Sequence, residues 1–378
     1  MFLAIVLEVD HPRINFHYLG WHYTGRTYQR SRYFDDDLYE LMKMERVGLY
    51  ILSMDAINFC FWPSSSSSAK NGLEYEHLAI ALRKVAELDD KTHNSCDHGG
   101  EFASCIRAES SYALNPSNLA TLSTTKLMSL LQPHLPSSTA SIVYELPDVD
   151  VRCRLLNELG KGLIDNHCGS VLNMIWKANH SADSLVGIIL ETFPGFRDYV
   201  DWDILSDKCN SCDWDIAKSS KTVVHFHKRA QIAVADIWAA LGRCSTSNQR
   251  YHFTDMKLIT TFPDYRVPQI LRQVNVLQYT PPLAEKVDNQ IQLEVGGADE
   301  VSIRAGTVVA VEKMVELVMK HLIDIAEVDA SEESKNNLHS LLEDVSAVTI
   351  DWYLWQRGEK EDRLNLLRPH HRVRTTFY

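Results

Sequence analysis

The chain has 378 residues, 45% of them apolar, which is enough for one large globular domain or two ordinary ones. Its 38 basic and 50 acidic residues give a formal charge of −12, which excludes a broadly basic nucleic-acid-binding face but allows a small phosphate pocket built from a few Arg and Lys. The longest apolar start, Met1 to Leu7, is broken by Glu8 and Asp10, too short for a signal-peptide core or a spanning helix; together with eight scattered cysteines this predicts reduced thiols in a cytoplasmic or nuclear chain without a membrane segment.

Residues 1–45 are rich in Tyr and Arg and lack periodicity, so they read as an irregular extension ahead of a domain spanning 46–378. Residues 47–62 are almost wholly apolar, which predicts a buried helix in which Asp55 and Asn58 need partners. Pro63 and Ser64–Ser68 form a low-complexity loop. Helical spacing resumes over 73–88 through Leu78, Leu82 and Val85, and 91–111 read as an insertion. Asn115-Pro116 and the leucines up to Leu131 predict short helices broken at Pro133. Leu155, Leu156, Leu159 and Leu163 predict a helix over 150–166, residues 169–178 predict another, and Ser181 caps a third that ends before Pro194.

Residues 199–220 read as an acidic, Trp-bearing loop, whereas 222–243 and 268–286 read as mainly helical. Residues 292–294 and 301–303 alternate enough for short strands, and a strong helix follows from Thr307 to Ile325. After a polar insertion at 331–344 comes a last helix at 347–357, then a basic tail from Arg368. The fold class is therefore mainly α, one helical domain with minor short β elements. Gly160-Lys161-Gly162 has neither the preceding strand nor the spacing of a phosphate loop.

The densest chemistry lies at 253–269, where Asp255 and Asp264 flank Phe262, beside Tyr265 and Arg266; Pro263 and Pro268 interrupt a regular helix there. The stretch is either a site or a helix connection whose Asp255 or Asp264 caps the next helix. His225-Phe226-His227-Lys228-Arg229 precedes an apolar helix, and cations there oppose the macrodipole, so a bound phosphate or a buried carboxylate is expected nearby. Asp351 and Trp355 share a helix face, which suits clamping a planar heterocycle or simply forming core. Cys209 and Cys212 form a single C-x-x-C without two further ligands at finger spacing, so no metal is expected.

Several blocks, in order, resemble the queuosine salvage proteins, the queuosine 5'-phosphate N-glycosylases. They are Asp55-Ala-Ile-Asn-Phe-Cys-Phe-Trp62, Phe193-Pro-Gly-Phe-Arg-Asp198, the run from His227 to Trp238, Phe262-Pro-Asp-Tyr-Arg-Val-Pro-Gln269, Val301-Ser-Ile-Arg304, Ile350-Asp-Trp-Tyr-Leu-Trp355 and His371-Arg-Val-Arg374. The family pattern differs at Ser302, Trp352 and Gln356, where it carries an acid, Tyr and Asp.

The resemblance implies a fold similar to helical DNA glycosylases and hydrolysis of the N-glycosidic bond of queuosine 5'-monophosphate, releasing queuine for tRNA modification. It implies no cofactor, no metal and no stable nucleic-acid binding. Asp255 and Asp264 are the implied catalytic carboxylates, with Asp255 placed at the ribosyl carbon. Phe262, Asp351, Trp355 and Gln356 are expected at the base, and Lys228, Arg229, Arg304 and Arg372 at the phosphate. The alternative is a non-catalytic nucleotide- or tRNA-binding helical protein.

Overall fold

The computed structural model describes residues 36–62, 70–86, 113–139, 142–202, 222–242, 252–328, 342 and 344–378. The C-x-x-C pair, the loop expected at 64–68 and the insertion at 91–111 lie outside the described residues, as does the insertion at 331–344 except for residues 342 and 344, which are helical. The chain is mainly α with a few short strands, as its periodicity predicts. No described helix is long and apolar enough to cross a membrane.

Contacts divide the chain into two compact units. One contains the described residues up to Phe196 together with Arg229–Ile259; the other contains Arg197–Lys228 and Thr260–Tyr378.

The first unit begins with α1, Asp36–Ile57, so helix reaches into the stretch expected to be irregular. It continues through β1 (Lys70–Asn71), α2 (Tyr75–Ala86), α3 (Pro116–Ala120), α4 (Thr124–Leu131) and β2 (Ile142–Val143) to α5 (Val149–His167), α6 (Val171–Lys177) and α7 (Ala182–Thr192). The α5 helix is central, burying Leu155, Leu156, Leu159 and Leu163 on one face. Its Gly160 belongs to packing: a Cβ there would strike the Ala120 amide and the Pro116 carbonyl of α3. Arg152 on α5, wholly buried, donates to the carbonyls of Ile57, Phe59 and Cys60, which satisfies the end of α1.

The second unit opens with the antiparallel pair β3 (Tyr199–Trp202) and β4 (Thr222–His225), in register Tyr199↔His225 to Trp202↔Thr222. Both strands correct the expectation of a loop at 199–220 and of helix from 222. α8, Lys228–Ile237, follows β4 and runs on from Lys228 into the first unit's stretch of chain. α9 (Arg266–Gln273) and α10 (Pro281–Asp288) replace the single helix expected over 268–286, with a break at Val274. Pro268 does not end α9; it sits in the first turn, where its missing N–H forfeits no helical bond.

β5 (Gln292–Leu293) pairs in parallel with β6 (Arg372–Val373). Residues 301–303, expected as a strand, lie inside α11, Ala298–Val328. α12, Ala347–Arg363, starts with a reciprocal Ser346–Thr349 capping box. Val267, Ile270 and Leu271 of α9, Val311, Val318 and Leu322 of α11, and Ile350 and Leu354 of α12 form one buried cluster, which fixes these three helices as a frame.

Candidate active site

The second unit gathers its chemistry around residues 260–265, an irregular segment ahead of α9. Thr261, Phe262 and Asp264 are 0%, 3% and 8% exposed. Asp351, in the first turns of α12, points its Oδ2 at this segment. That oxygen accepts from Thr261 Oγ1 at 2.5 Å and from the Phe262 amide at 2.8 Å. Asp351 is itself buried, and each bond places a donor on a desolvated charge, the arrangement that keeps such a group tolerable. The half-buried Trp355 lies one turn further along α12, with Gln356 beside it.

Asp264 Oδ1 accepts from the amides of Arg266 and Val267 at 2.8 and 3.0 Å, satisfying two donors of the first turn of α9. Its other oxygen carries no hydrogen bond among the described residues. Arg266 is held in turn by Glu359 at 2.7 Å, Asp362 at 3.1 Å and Gln269 Oε1 at 2.7 Å. Gly358 makes room for it: a Cβ there would stand 2.8 Å from Arg266 Cδ.

Asp255 belongs to the first unit and not to this segment's unit. Both its oxygens face the N-terminus of α7: Oδ1 accepts from the Ala182 amide at 2.5 Å, and Oδ2 from Ser181 Oγ at 2.7 Å and the Asp183 amide at 3.4 Å. Burial opposes its ionisation, but these bonds outweigh that and hold its carboxyl below the ordinary value of 3.8. An anion at a helix start is favoured by the aligned amides, so Asp255 sits where it stabilises the fold.

The four cations expected at a phosphate fall into two kinds. Arg229 is 1% exposed and donates to the carbonyls of Ala56 and Gly195 in the first unit. Arg304, also 1% exposed, gives Nε to the Pro263 carbonyl at 3.2 Å and forks onto Asp198, with Nη1 on Oδ1 at 2.8 Å and Nη2 on Oδ2 at 2.5 Å. Its guanidinium also stacks over Phe226 at 4.0 Å and Tyr378 at 5.0 Å. Burial works against its charge, but Tyr378, Asp198 and Glu300 more than restore it.

Lys228 is the first residue of α8, and its amide donates to Asp198 Oδ2 at 3.1 Å. Asp198 is thus a buried carboxylate beside the basic run, although its ion pair is with Arg304. Arg372, on β6, is half-buried. Its Nε is shut from solvent with no hydrogen-bond partner among the described residues, and burial pushes its pKa down. A cation so placed is set to receive an anion.

Sequence reasoning did not single out Asp198, although it ends the Phe-Pro-Gly-Phe-Arg-Asp198 block. No local pattern reports that this acid is wholly buried. His371, in the basic tail, is also buried: its ring meets Tyr378 edge-on at 5.2 Å, and burial drives its pKa down to about 3. The described residues contain no group of three or more His, Cys, Asp or Glu suited to a metal ion.

Comparison with known proteins identifies the family. A family described as queuosine salvage protein matches residues 39–378. A Dictyostelium discoideum protein named queuosine 5'-phosphate N-glycosylase/hydrolase is 32% identical over 339 residues, covering 88% of this chain and 79% of that protein. Proteins of the same name from Sphaerobacter thermophilus and Mus musculus are 27% and 29% identical over 344 and 332 residues, covering 88% and 87% of this chain and 82% and 81% of theirs. The match spans nearly the whole chain, and the chain belongs to the queuosine salvage protein family.

Proposed function

We propose that this chain is an N-glycosyl hydrolase that cleaves queuosine 5'-monophosphate to queuine and ribose 5-phosphate. The observation that carries the reading is the span of the family match, residues 39–378, with relatives named for that activity over most of their own length. The nucleotide is a small-molecule substrate, and the phosphate end of the site is the feature that the acidic chain must build from isolated cations.

In the proposed reaction the bond from the ribosyl C1' to the base breaks with its electron pair on the base. Water adds to C1', and the base takes up one proton. Positive charge grows on the ribose, so a fixed carboxylate there lowers the barrier, either as an electrostatic stabiliser or as a nucleophile. Of the two candidates, Asp264 suits this role better. One of its oxygens is pinned by two amides, which fixes the group, and the other carries no such bond among the described residues. Asp255 remains the second candidate; its oxygens serve α7.

A 7-deazaguanine has no ring nitrogen at position 7 to accept a proton, so activation of the leaving base falls to groups elsewhere on its edge. Gln356 and Asp351 are proposed for that edge and Trp355 for its face, where stacking contributes about 1–3 kcal/mol. The buried Phe262 lines the same segment. Lys228 and Arg372 are proposed for the phosphate. Arg229 and Arg304 are not proposed for the phosphate, because their guanidinium groups are already bonded to the protein, Arg229 to the Ala56 and Gly195 carbonyls and Arg304 to Pro263 and Asp198.

Incubating the purified chain with queuosine 5'-monophosphate and following free queuine by chromatography tests the reading. Stoichiometric queuine and ribose 5-phosphate are the expected products. Binding of the nucleotide without release of the base would instead identify a non-catalytic member of the family.

A further inference from the structure

The basic run ends in an unusual turn. His227 adopts φ of +48°, a left-handed conformation that L side chains rarely take. One residue holds the turn from both its backbone and its side chain. The Asp198 carbonyl accepts the amides of Phe226 and His227, each at 3.0 Å, and its Oδ2 accepts the amide of Lys228 at 3.1 Å. Three successive amides thus converge on Asp198, just where Lys228 begins α8.

The carboxylate is also the partner of the Arg304 fork, and Arg304 Nε reaches the Pro263 carbonyl at 3.2 Å, next to Phe262 and Asp264. The cluster is sealed: Asp198 is 0%, Arg304 1% and Lys228 2% exposed. Tyr378 and Phe226 cover the guanidinium on its faces. Glu300 approaches Arg304 Nη1 at 3.6 Å.

We propose that Asp198 is a positioning residue: it holds the Phe226–His227–Lys228 turn against Arg304 and Pro263, so that the lysine proposed for the phosphate keeps a fixed separation from the segment proposed for the ribose. It touches no substrate atom in this scheme and acts through Lys228. The inference rests on the reading of the site given above. Its physical content is geometric. A lysine is a flexible point charge, so its usefulness to a bound phosphate depends on how firmly its backbone is placed. A turn in a sparsely populated conformation persists only where its surroundings over-determine it, and here the surroundings are one carboxylate and one carbonyl.

The test measures binding of two products separately, by calorimetry on the full chain. Ribose 5-phosphate reports the phosphate end and queuine reports the base end. Asp198→Asn leaves Arg304 buried without its counter-charge and is liable to unfold. Two further variants are therefore measured: Arg304→Lys, which keeps the charge but loses the fork, and Asp198→Asn with Arg304→Met, which removes both charges together.

In folded variants, affinity for ribose 5-phosphate is expected to fall about 10- to 100-fold, the span corresponding to one charge-assisted contact, while queuine affinity stays near wild type. A purely structural role lowers the folded fraction and so scales both ligands together. Wild-type affinity for ribose 5-phosphate in a folded variant, or an equal fold-loss for both products, overturns the proposal, and so does the failure of every variant to fold, since that marks a pair whose only task is stability. Binding is read without turnover, so a wild-type chain that binds both products yet releases no queuine counts against the proposed reaction alone. A wild-type chain that binds neither product overturns both readings.

Discussion

Asp351 and Thr261 meet at 2.5 Å, hydroxyl on carboxylate, and this bond joins α12 to the segment that carries Phe262 and Asp264. Both residues are buried, Thr261 at 0% and Asp351 at 4% exposure. Replacing Thr261 with Val keeps the shape and deletes the donor, leaving a buried carboxylate short of one bond. The expected cost is about 1–3 kcal/mol of stability, read as a lower urea midpoint. Turnover should fall as well, because the segment is then held to Asp351 by one bond fewer. A variant of wild-type stability and rate would show that the bond does not organise the site.

The two aspartates separate in a direct comparison. Asp264→Asn is expected to abolish most turnover with the fold intact. Asp255→Asn is expected to lose about 0.5–2 kcal/mol, the usual range for a helix start, with turnover per folded molecule nearly unchanged. The pH dependence has a defined sign. Asp255 has a folded pKa below its ordinary 3.8, so its contribution is fully present above that value and is lost as pH falls through the folded pKa. The stability gap between wild type and Asp255→Asn should therefore close on acidification below 3.8. Loss of turnover in Asp255→Asn alone would reverse the assignment of the two residues.

Helices with long apolar periodicity were legible in the sequence. Leu155 to Leu163 and the cap at Ser181 mark α5 and α7 nearly to the residue. Short windows were not: Val301 and Ile303 are buried with Ser302 exposed between them, which alternates like a strand over three positions yet belongs to the first turns of α11. The β3–β4 pair escaped because its partners lie about twenty residues apart with no tight-turn signal between them. For the proposed site, residue types and blocks pointed to acids, aromatics and cations alike. What they could not convey is commitment. Arg229, Arg304 and Asp255 are as polar in sequence as Arg372, but only the fold reveals that carbonyls, a carboxylate and helix amides already engage them. The division between Ile259 and Thr260 likewise has no local mark.

Arg372 tests the proposed phosphate end. Burial depresses its pKa, and its Nε has no partner among the described residues. Arg372→Gln removes a charge that the folded protein accommodates poorly, so stability should hold or rise slightly. The KM for queuosine 5'-monophosphate should rise about tenfold or more, as for one charge-assisted bond, with a smaller change in kcat. A drop in kcat at constant KM would place Arg372 at the reacting carbon instead of the phosphate.

His371 is expected to contribute to acid sensitivity. Both of its ring nitrogens are buried without hydrogen-bond partners among the described residues, and desolvation, followed by the nearby His370 and Arg304, brings its pKa from 6.5 to about 3. The unfolded chain then binds a proton that the folded one refuses, so this term stabilises fully above 6.5 and drains away as pH falls toward 3. Between pH 6.5 and 5 the loss is about 2 kcal/mol for a fully buried ring, at 1.36 kcal/mol per pH unit. His167 and His370, both lowered to about 4 mainly by burial, add to the same slope. His371→Phe keeps an edge-on ring against Tyr378 and deletes no hydrogen bond of the side chain. Urea midpoints at pH 7 and pH 5 should therefore differ less in His371→Phe than in wild type. An equal acid loss in both would mean that His371 is already protonated in the folded state, and that its burial does not carry the acid limb.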